Sequence, residues 1–392
     1  MVNFDFVSLI LGAILGVVLT QIYEKIVLKF IINQYTNFYK NKRFKIYNDK
    51  RINNFIFEYY KKKDTFSDLY DCEIQGYSSK IPFLYNISWI KMDKDIYKNP
   101  TLLKVVDSPK LNYKVNKVIV KKRLAIGQNI FDDDCLYFSK ITSNGEIEAK
   151  VCSFFQKLTL IDTLENETYK AARKTHCKTE LRDKTLASFN KAISNNGLPV
   201  SLGCQVVVAL KIKNETFIAL HKRSTKTFTY GGFIASIPVF GLVPIPKRYN
   251  DEETENVLLY NILKEYCEEL HNKTILEKRE KHINPFWFYD LFDEAKELLI
   301  SLKNDNSKCT MLGYGFDAIN GLSILAVLLY VQDEDLAQKI RSCCETNWEI
   351  DGNAFFCNIK DPILRKYLEE MSYENGTAFA LSQALDYLKK EN

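Results

Sequence analysis

From Phe6 to Ile22 the chain reads FVSLILGAILGVVLTQI, seventeen residues with no charged side chain. A helix that apolar fits few environments: a bilayer, or a core that surrounds it on every side. At 1.5 Å per residue it rises roughly 25 Å, slightly short of the ~30 Å hydrocarbon core. Phe4 extends it at one end and Tyr23, Ile26 and Val27 at the other, and Lys25 and Lys29 can snorkel toward headgroups. Ser8, Gly12, Gly16 and Thr20 recur every four residues and so share one helical face. Small residues at that spacing let membrane helices pack closely. The run predicts a transmembrane helix within residues 1–32 that self-associates through that face.

The flanks refine this expectation. Met1–Asp5 is not a basic leader and no small-residue cleavage site follows, which argues against a signal peptide. The run has no polar periodicity, which argues against a core helix. Lys25, Lys29, Lys40, Lys42, Arg43, Lys45, Lys50 and Arg51 follow it, whereas only Asp5 precedes it. The positive-inside rule then predicts a single-pass protein, N-terminus outside and the remainder cytoplasmic. Residues 33–65 form a basic juxtamembrane segment in which Tyr39, Phe44 and Tyr47 interleave with the charges. Contact with anionic membrane lipid and a solvated linker are both open for it.

Lys and Arg total 54 against 49 Asp and Glu, a net charge of +5 over 392 residues. That near balance sets DNA aside as a partner. The ten cysteines form no C-x-x-C pair and the four histidines have no zinc-like spacing to them. Reduced thiols follow, and a soft-metal site does not.

Beyond residue 65 the reading is α+β. Residues 66–195 form a β-rich accessory region with a closing helix: its strands include residues 82–87 and 117–120, and around 151–195 the pattern turns helical, with a helix at Thr179–Ser194. From 196 to 392 the pattern sharpens. Strands are expected at Gln205–Ile212, Glu215–Leu220, Cys309–Phe316 and Leu322–Val331. Helices are expected at 253–270, Glu334–Cys343, Ile363–Met371 and Ala378–Lys389. A charged, aromatic insertion fills 271–307.

One helix carries candidate chemistry. In Lys264-Glu265-Tyr266-Cys267-Glu268-Glu269, three carboxylates at i, i+3 and i+4 share a face. A hard divalent cation such as magnesium would relieve their repulsion and bridge to a phosphate, whereas a solvated acidic face is the plainer alternative. Upstream lie a strand ending in His221-Lys222-Arg223 and the turn Tyr230-Gly231-Gly232.

That ensemble, over about residues 200–390, resembles the Nudix hydrolase family, whose box reads G-x5-E-x7-R-E-U-x-E-E-x-G-U. Lys264 stands at the box arginine, and Glu265, Glu268 and Glu269 at its later glutamates. The departures are Asn250 at the first glycine, Asn256 at the first glutamate and His271 at the second glycine. An apolar insertion, Phe233–Pro246, lengthens the loop, and such a loop should be buried, cover a pocket or meet a partner. The resemblance implies an α/β/α sandwich with a mixed sheet, and catalysis by Glu265, Glu268 and Glu269 with magnesium if the domain is active. The degenerate box favours binding without turnover, needing no cofactor. His221, Lys222, Arg223 and Lys226 would then meet phosphates, and Phe228 and Tyr230 a base.

With its apolar N-terminal helix, the domain order is similar to the transmembrane-Nudix effectors of bacterial cyclic-oligonucleotide anti-phage signalling (CBASS). This implies an inner-membrane homo-oligomer that senses a cyclic oligonucleotide from a genetically linked synthase and then disrupts the membrane. A membrane-anchored magnesium-dependent hydrolase of a nucleoside diphosphate-linked substrate is the alternative.

Overall fold

Two apolar runs, residues 202–210 and 323–331, lack the alternation of a half-exposed strand, and they take the middle of the sheet. The computed structural model describes residues 6–23, 29–86, 93–142, 145–174, 177–194, 197–245, 256–273 and 291–391. Side chains are not described at 6–11, 22, 29, 32, 35–36 and 39–44 within the first helices.

Helices α1 (Phe6–Ile22), α2 (Lys29–Asn48) and α3 (Lys50–Lys62) come first. β1 (Leu69–Ile74) and β2 (Tyr77–Leu84) pair across a turn where Gln75 and Gly76 both have positive φ. Then follow β3 (Lys94–Asp95), β4 (Leu103–Val105) and α4 (Lys117–Ala125). A hairpin of β5 (Asp134–Ile141) and β6 (Ile147–Ser153) runs directly into α5 (Phe154–Ala171). Short helices α6 (Glu180–Thr185) and α7 (Phe189–Ile193) lead to β7 (Leu202–Ile212) and β8 (Glu215–Lys222).

Next come β9 (Ile234–Ser236), β10 (Val239–Gly241) and α8 (Val257–Glu265), which continues as one π turn over Tyr266–Leu270. The remainder is α9 (Asp293–Lys303), β11 (Ser307–Asp317), β12 (Ser323–Val331), α10 (Glu334–Ser342), β13 (Phe355–Asn358), α11 (Ile363–Glu369) and α12 (Asn375–Glu391).

The protein is α+β with a mixed, curled sheet in the order β1-β2-β11-β12-β7-β8-β13. β7 and β12 run parallel, from Leu202 opposite Ser323 to Leu210 opposite Val331, and the other pairs are antiparallel. Strands from residues 69–84 and 94–95 therefore belong to the same sheet as those from 202–358. A second sheet, β4-β6-β5, stands beside it. One face of the large sheet packs on α12, with Phe379, Leu381 and Leu385 buried. The other packs beneath α5 and α8, with Leu160, Leu164, Leu258 and Ile262 buried.

Among the described residues no helix is long and apolar enough to cross a membrane. α1 as described spans seventeen residues, Glu24 and Lys25 follow in the sequence, and α2 is basic and polar. The run thus lacks the roughly 20 apolar residues a span needs. The transmembrane helix and the single-pass inner-membrane placement built on it are not supported. Phe4, Lys25, Ile26 and Val27, the residues meant to extend it, lie outside the described residues. Gly12, Gly16 and Thr20 face open space, Thr20 donating back to the Gly16 carbonyl at 2.9 Å, and the side chain of Ser8 is not described.

Part of the basic segment folds onto the body. Ile46, Tyr47, Ile52, Ile56 and Tyr60 are buried, and the Tyr47 hydroxyl donates to Glu165 of α5. Residues 117–120, expected as a strand, form α4 instead, capped by Asn116. Residues 179–194 form two short helices rather than one.

Candidate functional site

α8 begins at Asn256, whose Oδ1 accepts from Leu259 N at 3.0 Å while Nδ2 donates to Ile96 O at 2.7 Å. The residue at the family's first glutamate position is therefore a helix cap. At the other end the three glutamates part company. Lys264 Nζ lies 2.7 Å from Glu268 Oε1 and 3.1 Å from Glu265 Oε1. Burial opposes the ammonium charge, but the two carboxylates outweigh it and hold the Lys264 pKa above its ordinary value. Glu269 turns away and accepts from Val239 N at 3.1 Å. Burial, then Glu349 and Glu265, push its pKa well up. Among the described residues no group of three or more His, Cys, Asp or Glu side chains is placed to hold a metal ion. As positioned, the cluster does not fit magnesium: an ammonium stands between two carboxylates, and the third is committed to the backbone.

Glu265 and Glu268 nonetheless line a cavity of about 240 Å³ at the N-terminal end of β7. Its floor is Gly203, Cys204 and Gln205 of β7 with Ser323 and Ile324 of β12. One wall is Val239–Gly241 and Val243 of the apolar insertion. That insertion, residues 233–245, is thus a pocket cover, with β9 and β10 paired to β8 and β7. Asn261 pins it to α8, accepting from Val243 N at 2.9 Å and donating to Val243 O at 2.9 Å. Pro246 and Asn250 lie outside the described residues, as does 274–290 of the second insertion.

The opposite wall comes from the accessory region: residues 129–131 and 133–135, with Phe154 and Lys157 of α5. Lys157 is 2 % exposed, and among the described residues no carboxylate lies within ion-pair distance of it. Its Nζ stands 5.6 Å from the centroid of the Phe154 ring. A Cβ on Gly241 would come within 3.1 Å of Nζ, so the glycine gives the ammonium its room.

Arg223 closes the end of β8 at 4 % exposure. Its nearest carboxylate is Glu374 at 3.6 Å, and its Nε has no hydrogen-bond partner. Burial raises the Glu374 pKa, which weakens that compensation. A buried cation without a hydrogen-bonded counter-charge is costly. Two of them reach one cavity, whose lining also carries Asp133, Asp134, Glu349 and Glu374 besides the Glu265 and Glu268 matched to Lys264. Beside Lys157 and Arg223 themselves, anionic oxygens would supply the hydrogen bonds those two cations lack from carboxylates.

An aromatic surface adjoins these cations. Phe228 meets Phe154 edge-on, 5.5 Å between centroids at 86°, and Phe131, Phe240 and Trp348 also line the cavity. The loop carrying Phe228 is held from behind. Arg123 donates to Phe228 O at 2.6 Å and Gln128 to Thr227 O at 2.8 Å. Arg123 is itself matched by Asp162 at 2.9 Å and Glu165 at 3.0 Å. In the same loop, a Cβ on Gly231 would sit 2.9 Å from Thr225 Cα, which accounts for the glycine.

Of the residues expected at a nucleotide site, Arg223 and Phe228 line this cavity. His221, Lys222, Lys226 and Tyr230 do not. His221 is buried behind β9, and burial, then Arg223, lower its pKa to about 3, so it is a neutral ring. Lys222 points to solvent near Asp351 at 3.7 Å, and Lys226 is exposed. Tyr230 is core: it stacks on Tyr47 at 3.9 Å and its hydroxyl donates to Asp317. Lys157, Phe154 and Trp348 escaped the sequence reading because no local spacing links them to β8.

No protein-family model matches the chain, and no curated protein matches it.

Proposed function

We propose that this cavity binds a phosphorylated, nucleotide-type ligand and senses it rather than hydrolysing it. The carrying observation is the pair Lys157 and Arg223, two buried cations facing one cavity without a hydrogen-bonded carboxylate. The Phe154–Phe228 pair offers apolar surface beside them for a base. Binding without turnover agrees with Lys264 neutralising Glu265 and Glu268, and with Asn256 spent on a cap. The resemblance to cyclic-oligonucleotide effectors makes a cyclic dinucleotide the first ligand to test, beside ATP and pyrophosphate.

Each charge-assisted hydrogen bond contributes about 1.5–3 kcal/mol, so removing one cation should weaken binding roughly tenfold or more. Calorimetric titration of the full chain and of its Lys157→Ala and Arg223→Ala variants measures this. Unchanged affinity in both variants, or no binding by wild type, would refute the reading. Magnesium-dependent product formation lost in Glu265→Gln and Glu268→Gln would support a hydrolase in its place.

A further inference from the structure

Cys135 of β5 and Cys152 of β6 stand directly opposite each other in the hairpin. Opposite residues of an antiparallel pair point to the same side, with Cα atoms about 4.5–5.5 Å apart. That lies inside the roughly 4.4–6.8 Å range of disulfides. Their Sγ atoms are 3.8 Å apart, so side-chain rotation alone brings them together. We propose that Cys135 and Cys152 are a dithiol pair that peroxide converts reversibly to a disulfide, with Cys135 reacting first.

Three observations carry the proposal. Cys135 lines the cavity wall, which gives a water-sized oxidant a route to a thiol that is otherwise buried. Lys157 lines the same cavity and supplies positive charge beside it, the environment in which thiolates form. Cys152 does not line the cavity and sits behind Cys135, in the position of a resolving thiol. The thiol pKa shifts agree in direction. The hydrogen bond with Cys152, then Lys157, lower Cys135 against burial, while the same hydrogen bond and burial raise Cys152.

The chemistry balances with peroxide as oxidant. The Cys135 thiolate attacks one peroxide oxygen, the O–O bond breaks, and the departing hydroxide takes a proton to leave as water. The resulting sulfenic acid is attacked by Cys152 Sγ. The S–S bond forms as S–O breaks, and the Cys152 proton leaves with the hydroxyl as a second water. Two thiols are oxidised and one peroxide is reduced.

The test treats the full chain with one equivalent of hydrogen peroxide, blocks free thiols, digests it and maps the peptides by mass. The expected result is a cross-linked peptide pair bearing Cys135 and Cys152, abolished by dithiothreitol. Both thiols remaining fully alkylated would overturn the proposal, as would Cys135 cross-linked elsewhere, the adjacent Cys343 and Cys344 included. The order of reaction is read separately with a sulfenic-acid trap. Labelling of Cys135 in Cys152→Ser should exceed that of Cys152 in Cys135→Ser roughly tenfold. Equal labelling would refute Cys135 as the first site.

Discussion

At the residue scale, burial decides which charges are available. Sequence marks His221, Lys222, Arg223 and Lys226 as equivalent donors, but only Arg223 faces the cavity. Strand alternation turns Lys222 outward, opposite His221 and Arg223. Of those two, Arg223 at the strand end reaches the cavity while His221 stays buried against β9, and Lys226 lies exposed in the loop beyond. His221 gives a pH prediction. Its folded pKa, about 3, is depressed from 6.5, so the unfolded chain takes up the proton first. Stability from this group is therefore full above pH 6.5 and falls as pH drops toward 3, by about 1.4 kcal/mol per pH unit. Urea midpoints of wild type and His221→Gln should converge across that window as pH falls. His271, lowered by burial to about 4, supplies a slope that the variant keeps. Parallel curves for the two proteins would contradict the assignment.

At the element scale, the helix with the acidic face is the one whose meaning changed most. The spacing of Glu265, Glu268 and Glu269 was legible in the sequence and the helix is there, yet its last turn widens to a π turn over Tyr266–Leu270. The carboxylates no longer share one target, and Lys264 matches two of them. Lys264→Met removes the ammonium shared by those two buried carboxylates and should cost about 3–5 kcal/mol, read as a fall in Tm. Adding Glu265→Gln and Glu268→Gln should restore most of it. A neutral Lys264→Met would mean that another cation holds the pair.

The four main strands of residues 202–331 were legible because long apolar runs and turn residues mark them. The helical pattern around residues 151–195 agrees with α5. The hairpin 134–153 was not legible, since its sequence carries no long apolar run and its packing partners are remote in sequence. Residues 117–120 have β-branched side chains yet form a helix, because Asn116 caps it and the α4–α5 contact buries Ile119 and Val120. The N-terminal run misled for a different reason. Composition reports how apolar a helix is, but a span also needs length, and among the described residues no helix, α1 included, is long and apolar enough.

At the scale of the whole molecule, the cavity is a joint product of regions distant in sequence. Lys157 and Phe154 come from α5, Arg223 and Phe228 from the end of β8 and the loop after it, and Val239–Gly241 from the insertion that covers them. Arg123, Gln128 and the Tyr47–Glu165 contact tie those regions together from behind. A site so assembled exists only when the whole chain is folded, so ligand should stabilise global folding and not one local unit. The central claim is that this site holds a nucleotide without consuming it. The most direct measurement incubates the full chain with a cyclic dinucleotide or ATP at single-turnover ratio with magnesium, then chromatographs the released nucleotide. The account predicts that nucleotide is bound, raises Tm and is recovered intact, and that Lys157→Ala reduces the Tm shift at the same nucleotide concentration. Cleaved product that disappears in Glu268→Gln would contradict it.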